Sequence, residues 1–418
     1  MLLAGSGVAP AQFSDDDTST LRRIGDVLHI ALPAAAGGSA AIKRDWEGLL
    51  QFGTSFGATV GTFSALKQAI PKDRPDVTDE RSFPSGHTAM SFSGASFILT
   101  RYGKKWGIPA MATAGFVGYT RIKGQKHYED DVIAGAGIGL LYNLLLVRPM
   151  GESVFLKPQT FAGGGAGIMM GFDPGVPGAR NSSAPPPPDT AFKYRIEFEF
   201  AAVDVQKALV QSPRELGTLV PLERGEGGAT PSARFRFDWE FRPRHEFNFY
   251  WDPFEGRDFE GVPEVDIDFA GVTFPAGEEG IARYRFNDVG FRYRYGLIEN
   301  RWVTFRPGAT LSLQETKATL VQEQLELFGE VAKHTVMPLI HAQFQFHFTK
   351  EFHFVAEGDG MQLPQSRYFG GSLALRWKPK PRWDLNFGYR GVSRWLDIDD
   401  LYNRYSADSI LLGAGYSF

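Results

Sequence analysis

The spacing of apolar residues changes near residue 191 from a helical period to a strand period. Between residues 21 and 147, apolar residues recur every three or four positions with Gly and Ala among them. This spacing predicts amphipathic helices near 21–42, 46–68, 88–101, 104–121 and 127–147. Their apolar runs are shorter than a membrane-spanning helix requires. The first part of the chain is therefore predicted to be an all-α helical bundle, water-soluble or resting on a membrane surface.

After residue 191, apolar and charged residues alternate. In the segment FKYRIEFEF at 192–200, every even position is aromatic or aliphatic and every odd position is charged. The same alternation recurs at 235–241, 247–251 and 344–348, and less regularly at 283–295, 302–313, 352–361, 368–377 and 383–391. Such strands predict an antiparallel transmembrane β-barrel of about ten strands, with eight to twelve left open.

Turns and composition favour a barrel in the outer membrane. Short turns at 242–245 and 379–382 contrast with long segments at 206–232, 253–282 and 392–407, as periplasmic turns and extracellular loops do. The last strand ends on Phe418 and resembles the terminal strand by which outer-membrane proteins are recognised by the barrel-assembly machinery. A soluble lipocalin-like barrel has the same period with the aromatic face inside. Aromatic residues make up 14% of the chain, including 35 Phe, which favours the membrane.

The segments between and before these patterns complete the predicted organisation. Residues 1–11 contain Ala9-Pro10-Ala11, the form of a signal-peptide cleavage site, and are either an export-signal remnant or a flexible tail. Residues 12–172 form the helical domain, with a strand or hairpin expected at 153–172. Residues 173–190 are a Pro/Gly-rich linker, and 191–418 form the barrel.

Charge and cysteine content exclude some classes of function. The formal net charge is −4, so no basic excess points to nucleic acid as a partner. The chain has no cysteine, which excludes disulfides and thiolate metal sites and suits an oxidising compartment.

The candidate chemistry lies in three short clusters of the helical domain. They read Lys67-x6-Arg74-Pro75, Pro84-Ser85-Gly86-His87 and Thr120-Arg121-x5-His127-x3-Asp131. A phosphoryl group in its transition state spreads negative charge over its oxygens, and Lys67, Arg74 and Arg121 would stabilise that charge. Ser85 and Gly86 precede an apolar helix, so backbone N–H groups and the helix dipole would also face the phosphate.

Two histidines in these clusters can divide the catalytic work. His127 and Asp131 are four residues apart, on one face of the last predicted helix, so Asp131 can orient His127 as a nucleophile. His87 is then the general acid for the leaving alcohol and the base for water. Asp130 competes with Asp131 for the orienting role.

Further positional expectations concern the neighbouring charges. Lys67 and Arg74 are two turns apart if the segment stays helical, although Pro71 would distort the second turn. Lys72, Lys126 and Glu129 are expected to be solvated.

In order, spacing and residue type, the three clusters resemble the signature of the type 2 phosphatidic acid phosphatase superfamily. That superfamily also contains bacterial acid phosphatases and vanadium haloperoxidases. The one departure is Thr120, where the family usually has Ser. The resemblance implies a phosphohistidine at His127, the same roles for His87 and Asp131, and no metal or other cofactor.

The sequence therefore predicts a metal-independent phosphatase anchored in the outer membrane by a barrel, with its helical domain in the periplasm. Its expected substrates are phosphomonoester or pyrophosphate groups, and those of membrane lipids are favoured. Three alternatives stay open: a nonspecific periplasmic acid phosphatase acting on small phosphomonoesters, a vanadium-dependent haloperoxidase, and a pore or adhesin barrel with a regulatory helical domain.

Overall fold

The computed structural model describes residues 15–76, 78–150, 153–160, 166–173, 193–222, 229–255 and 259–418. The chain divides between residues 187 and 188 into two compact units, the helical unit and the barrel unit. The predicted export-signal remnant at 1–11 lies outside the described residues, as does the predicted linker beyond residue 173.

In the part of the helical unit that the structure describes there are five helices, close to the predicted ranges. They are α1 Asp15–Ile42, α2 Trp46–Ala69, α3 Gly86–Tyr102, α4 Lys104–Lys123 and α5 Glu129–Leu146. Short polar side chains set two of the starts, because the Asp45 carboxylate accepts from the N–H of Gly48 and Ser85 caps α3. None of the helices in the described residues combines the length and apolar character that crossing a membrane requires.

Helix α3 packs against each of the other four helices, and close approach depends on small residues. A Cβ atom added to Gly135 of α5 would lie 2.4 Å from the Ser85 carbonyl oxygen, and one at Gly139 would lie 2.4 Å from that of Ala89. The two backbones are therefore in contact where α5 passes the start of α3. The expected hairpin follows, with antiparallel strands β1 Ser153–Thr160 and β2 Ala166–Asp173.

Ten long antiparallel strands close into the barrel, which confirms the predicted fold class. They are β3 Tyr194–Gln211, β5 Thr230–Arg242, β6 His245–Glu255, β10 Gly280–Tyr295, β12 Val303–Gln322, β13 Leu327–His347, β14 Phe352–Leu363, β15 Ser366–Lys380, β16 Trp383–Ile398 and β17 Leu401–Ser417. Pairing of β17 with β3 and of β10 with β12 completes the ring. Short strands lie in the connections: β4 Val220–Pro221, β7 Phe259–Gly261, β8 Ile267–Phe269, β9 Val272–Phe274 and β11 Ile298–Glu299.

The two faces of the barrel wall have opposite chemistry. Along β5 the lumen side buries Arg236 and Asp238, whereas Trp239 on the alternate side is 40% exposed. Phe387 of β16 is 60% exposed, and Phe344, Phe346 and Phe369 are also exposed. Apolar side chains outside and charged side chains inside are the arrangement of a transmembrane β-barrel and the reverse of a soluble lipocalin-like barrel.

Two layers of side chains fill the lumen. At the end where residues 193 and 418 lie, charged groups from different strands pair, as Arg195 does with Asp384 at 2.5 Å and Arg294 with Asp238 at 2.7 Å. The opposite half is apolar and aromatic, built around Phe254, Tyr284 and Tyr405 together with Phe269 and Phe274 from β8 and β9. Paired charges thus fill one half of the lumen, and apolar side chains fill the other.

One predicted loop is wrong. Residues 392–407 were expected to form a long extracellular segment, but β16 continues to Ile398 and β17 begins at Leu401. Both strands are longer than ten residues and extend into the predicted loop. The long interval between apolar runs at 392–407 therefore belongs mostly to these two strands.

Candidate functional site

Every predicted site residue lies at one end of the helical bundle. Lys67 is on the last turn of α2, Arg74 on the loop before α3, Ser85, Gly86 and His87 at the start of α3, Arg121 at the end of α4, and His127 and Asp131 at the start of α5. The three sequence clusters, separated along the chain, thus converge because α2 and α4 end where α3 and α5 begin.

His127 and Asp131 face one another. The Nδ1 atom of His127 lies 3.7 Å from Oδ2 of Asp131, slightly beyond hydrogen-bond distance. His127 is not on the last helix as predicted, because α5 begins at Glu129 with Tyr128 as its N-cap. Burial lowers the pKa of His127, with Asp131 opposing and Lys67 and Arg74 adding to the shift. The imidazole is therefore neutral near neutral pH, as a nucleophile must be.

Asp131 is held by three donors besides its histidine neighbour. Its carboxylate accepts from the Ser82 hydroxyl at 2.5 Å, the Tyr128 backbone N–H at 2.9 Å and Lys72 Nζ at 3.0 Å. Burial alone would raise the pKa of Asp131, but Lys72, His127 and Ser82 hold it below its usual value. A permanently ionised, rigid carboxylate is what orienting an imidazole requires.

Asp130, the competing carboxylate, points to a different partner. It binds Lys72 Nζ through both oxygens, at 2.7 and 2.8 Å. Lys72 is buried in this pair, so the expectation that it is a solvated charge is wrong. Sequence reasoning also missed Ser82, which carries no motif signal. The geometry places Asp131, not Asp130, beside His127.

Lys67 and Arg74 lie together although they do not share a helix. Helix α2 ends at Ala69, and Arg74 is held in the following loop by Asp79, whose Oδ1 lies 2.7 Å from Nε. Lys67 Nζ donates to the Arg81 carbonyl oxygen at 2.5 Å. Burial, and then the charge of Arg74, lower the pKa of Lys67 to about 8. The segment does not stay helical as far as Arg74, in keeping with the distortion expected at Pro71, and the predicted grouping of the two charges is present.

Arg121 reaches toward α1. Its Nη1 donates to Asp26 Oδ1 at 2.7 Å and its Nη2 to the Arg22 carbonyl oxygen at 2.7 Å. Thr120, the departure from the usual Ser, accepts from Arg121 Nε at 3.2 Å through its hydroxyl. The hydroxyl that positions the guanidinium is therefore kept by the threonine.

The start of α3 is a close-packed turn. The Ser85 hydroxyl is buried and shares a hydrogen bond of 2.9 Å with the Thr88 hydroxyl, and the Ser85 N–H donates to the Asp131 carbonyl oxygen at 2.9 Å. A Cβ atom on Gly86 would lie 3.0 Å from the Phe63 ring. The first N–H groups of a helix lack intrahelical acceptors, so this turn can offer donors to an anion.

His87 lies among polar groups of α1. Its Nε2 atom is 3.3 Å from Asp26 Oδ1, and its ring centroid is 3.9 Å from that of His29. Burial, followed by the nearby His29 and Arg121, lowers the pKa of His87 to about 3. Neither Asp26 nor His29 was identified from the sequence. Their spacing of three residues puts them on one helix face, but nothing local shows that the face meets His87.

The charges of this bundle end act on one another. Lys67 and Arg74 influence the pKa of His127, and Arg121 and His127 influence that of His87. Three cations, two imidazoles and an ionised carboxylate in mutual range can bind a tetrahedral oxyanion and transfer its central atom to a ring nitrogen.

Comparison with known proteins gives a family match within the helical unit. Residues 48–154 match the model of the PAP2 superfamily. A lipid A 1-phosphatase of Porphyromonas gingivalis is 36% identical over 84 residues, which cover 19% of this chain and 19% of that protein. A lipid A 4′-phosphatase of Helicobacter pylori is 34% identical over 127 residues, covering 28% of this chain and 64% of that protein. This chain thus spans less than two thirds of either relative.

Two solved structures are also similar to parts of the chain. Aquifex aeolicus LpxE is 24% identical with a TM-score of 0.24, covering 30% of this chain and 92% of that one. The outer membrane protease OmpT of Escherichia coli is 9% identical with a TM-score of 0.36, covering 54% of this chain and 97% of that one. Residues 48–154, the segment that matches the PAP2 superfamily model, include every predicted site residue.

Proposed function

We propose that the helical unit is a metal-independent phosphatase that works through a phosphohistidine at His127. The observation that carries this proposal is the convergence of His127, paired with the ionised Asp131, on the same bundle end as Lys67, Arg74 and Arg121. A buried, neutral imidazole next to several cations is suited to attack phosphorus and poorly suited to holding a metal cation.

The proposed reaction has two steps. In the first, Nε2 of His127 attacks phosphorus, the bond to the leaving oxygen breaks, and His87 gives that oxygen its proton. In the second, His87 takes a proton from water, the hydroxide attacks the phosphohistidine, and inorganic phosphate leaves His127. The lowered pKa of His87 suits the second step, and the negative charge of a bound phosphate would raise that pKa for the first.

Asp131 and the cations act on both steps. Asp131 lies at Nδ1 of His127, so it leaves Nε2 free and stabilises the positive charge that the ring gains. Lys67, Arg74 and Arg121 stabilise charge on the phosphoryl oxygens, with the first backbone N–H groups of α3, from Gly86 onward.

A phosphorylated membrane lipid of the lipid A type is the proposed substrate. The two curated relatives reported above are named as lipid A phosphatases. The apolar outer face of the barrel supports residence in the outer membrane, after insertion by the barrel-assembly machinery, with the helical unit in the periplasm. An enzyme held at the membrane gains effective concentration for substrates in the same bilayer.

The test is phosphate release by the purified full chain from a panel of lipid A, phosphatidic acid, lipid pyrophosphate and soluble phosphomonoesters, with and without EDTA. Release from lipid substrates that EDTA does not diminish is the expected result. Equal rates on soluble esters would replace it with a nonspecific acid phosphatase. Vanadate-dependent bromination with peroxide, without phosphate release, would replace it with a haloperoxidase.

A further inference from the structure

Three potential metal ligands meet beside the proposed active site. They are Asp26 and His29 of α1 and His87 of α3, and one ligand atom of each lies within 4.8 Å of the other two. Asp26 and His29 precede residues 48–154, so the matched family region supplies one of the three. Helix α1 therefore brings to the domain a feature that the three sequence clusters do not contain.

A second observation at this place concerns His29. Its Nδ1 atom is buried and has no hydrogen-bond partner among the described residues. A buried imidazole nitrogen without a partner carries a desolvation cost that a ligand at that nitrogen would remove. The ring lies against that of His87, with centroids 3.9 Å apart and planes tilted by 44°.

The distance between two of these ligand atoms fits a small tetrahedral cation. His87 Nε2 and Asp26 Oδ1 are 3.3 Å apart. Ligands bound to Zn²⁺ at about 2.0–2.1 Å in a tetrahedron are separated by about 3.3–3.4 Å. Asp26 also accepts from Arg121 Nη1 at 2.7 Å, the type of outer hydrogen bond that holds a ligating carboxylate in place. The positive charge of Arg121 repels a metal cation at this place, so Zn²⁺ is expected to bind more weakly here than at a structural zinc site.

The donor set selects the class of metal. Two imidazoles and one carboxylate suit Zn²⁺ and its late first-row neighbours, and three protein ligands leave a fourth position for water. Mg²⁺ and Ca²⁺ prefer sets made of oxygen atoms and are not suited to this one.

We propose that Asp26, His29 and His87 form an inhibitory binding site for Zn²⁺. The inhibitory part rests on the proposed function, in which His87 carries the proton. A zinc ion bound to Nε2 of His87 takes the lone pair that would carry this proton, so neither protonation of the leaving group nor activation of water can proceed. Micromolar zinc would thus switch the enzyme off without occupying His127.

Direct binding tests the site without relying on turnover. Purified full chain in detergent, freed of metal by a chelator, is titrated with Zn²⁺ in a calorimeter and with Co²⁺ while its visible absorption is recorded. We expect one site with the absorption of tetrahedral cobalt, unaffected by Mg²⁺. His29→Gln and Asp26→Asn should each weaken binding by on the order of ten-fold or more, since even outer-shell changes cost that much.

The matched control is His334→Gln, which removes an exposed histidine of β13 in the barrel and should leave binding unchanged. His29→Gln should keep its phosphatase activity and lose its inhibition by zinc. Equal zinc affinity in wild type and His29→Gln would overturn the proposal, and so would zinc inhibition that persists in His29→Gln. If the protein releases phosphate but shows no spectrum of bound cobalt, the zinc site is overturned and the proposed function stands. If it shows the cobalt spectrum but releases no phosphate, the metal site is supported and the proposed function is overturned.

Discussion

At the scale of single residues, the two adjacent carboxylates at the start of α5 have different roles, one structural and one catalytic. Asp131 lies 3.7 Å from His127, whereas Asp130 binds Lys72. Asp131→Asn should lower kcat by on the order of 10³–10⁴, as loss of the orienting carboxylate does in a catalytic triad. Asp130→Asn, the matched control, should cost less than about ten-fold. Stopped-flow measurement of phosphoenzyme formation compares them, and equal losses would remove Asp131 from its orienting role.

Lys67 predicts how anion binding depends on pH. Because burial and Arg74 lower its pKa to about 8, the ammonium is charged below that pH and loses its charge above it. Competitive inhibition by sulfate, whose charge is constant in this range, should therefore weaken as pH rises through about 8. The guanidinium of Lys67→Arg stays charged, so this variant should lose that dependence. If Lys67→Arg kept the wild-type pH dependence of sulfate inhibition, a group other than Lys67 would be responsible for that dependence.

Which residues the sequence could predict depends on the range of the interactions that place them. The motif residues were identified because the chemistry dictates their types and spacing. Lys72, Ser82, Asp26 and His29 were not, since each acts through a tertiary contact with a distant part of the chain. The end of α2 at Ala69, before Pro71, agrees with the helix range predicted from the sequence, but the loop that then carries Arg74 could not be derived from it.

At the scale of secondary-structure elements, the contact between α5 and α3 sets the active-site geometry. A Cβ atom on Gly135 would lie 2.4 Å from the Ser85 carbonyl oxygen, a backbone atom that cannot rotate away. Gly135→Ala should therefore destabilise the helical unit by about 1–3 kcal/mol and lower activity by displacing the Ser85–His87 turn.

The control for this change is Gly115→Ala in α4, where nothing lies within 4 Å of the added atom. Alanine is the better helix former, so this variant should gain up to about 1 kcal/mol and keep its activity. Thermal unfolding followed by circular dichroism measures both. Equal stability of the two variants would mean that α3 and α5 can separate at no cost.

Element boundaries were predictable where the apolar period is strong, as in α1 to α5. In the barrel the period of two identified the strands, yet it did not show how far they extend. Strands β16 and β17 extend through most of 392–407, where polar residues such as Arg394 and Asn403 are buried in the lumen. Buried polar residues do not produce the apolar alternation by which the other strands were identified.

At the scale of the whole molecule, the side chains that fill the lumen in the described part of the barrel support the proposed role as an anchor over that of an open pore. Charged pairs such as Arg236 with Glu357, at 2.8 Å, cross one half of the lumen, and an aromatic core around Phe254 and Tyr405 fills the other. Purified protein in planar lipid bilayers should show no unitary conductance. Steady openings would revive the alternative in which the barrel is the working part and the helical unit a regulator.

The proposed topology can be tested with two epitopes in the same barrel. Ten strands place both ends of the barrel sequence on one side, and Lys193, hydrogen-bonded to Phe418, lies on the side of the β5–β6 turn at Arg244. The exposed turn at Gly277 lies on the other side.

In intact cells an antibody should bind an epitope inserted at Gly277 and should reach one at Arg244 only after the outer membrane is permeabilised. The chain enters the barrel at Lys193 on the Arg244 side, so this result would support the proposed periplasmic place of the helical unit, with access to lipids of the inner leaflet. Labelling at Arg244 in intact cells would put the helical unit outside the cell, where only outer-leaflet phosphates could be its substrates.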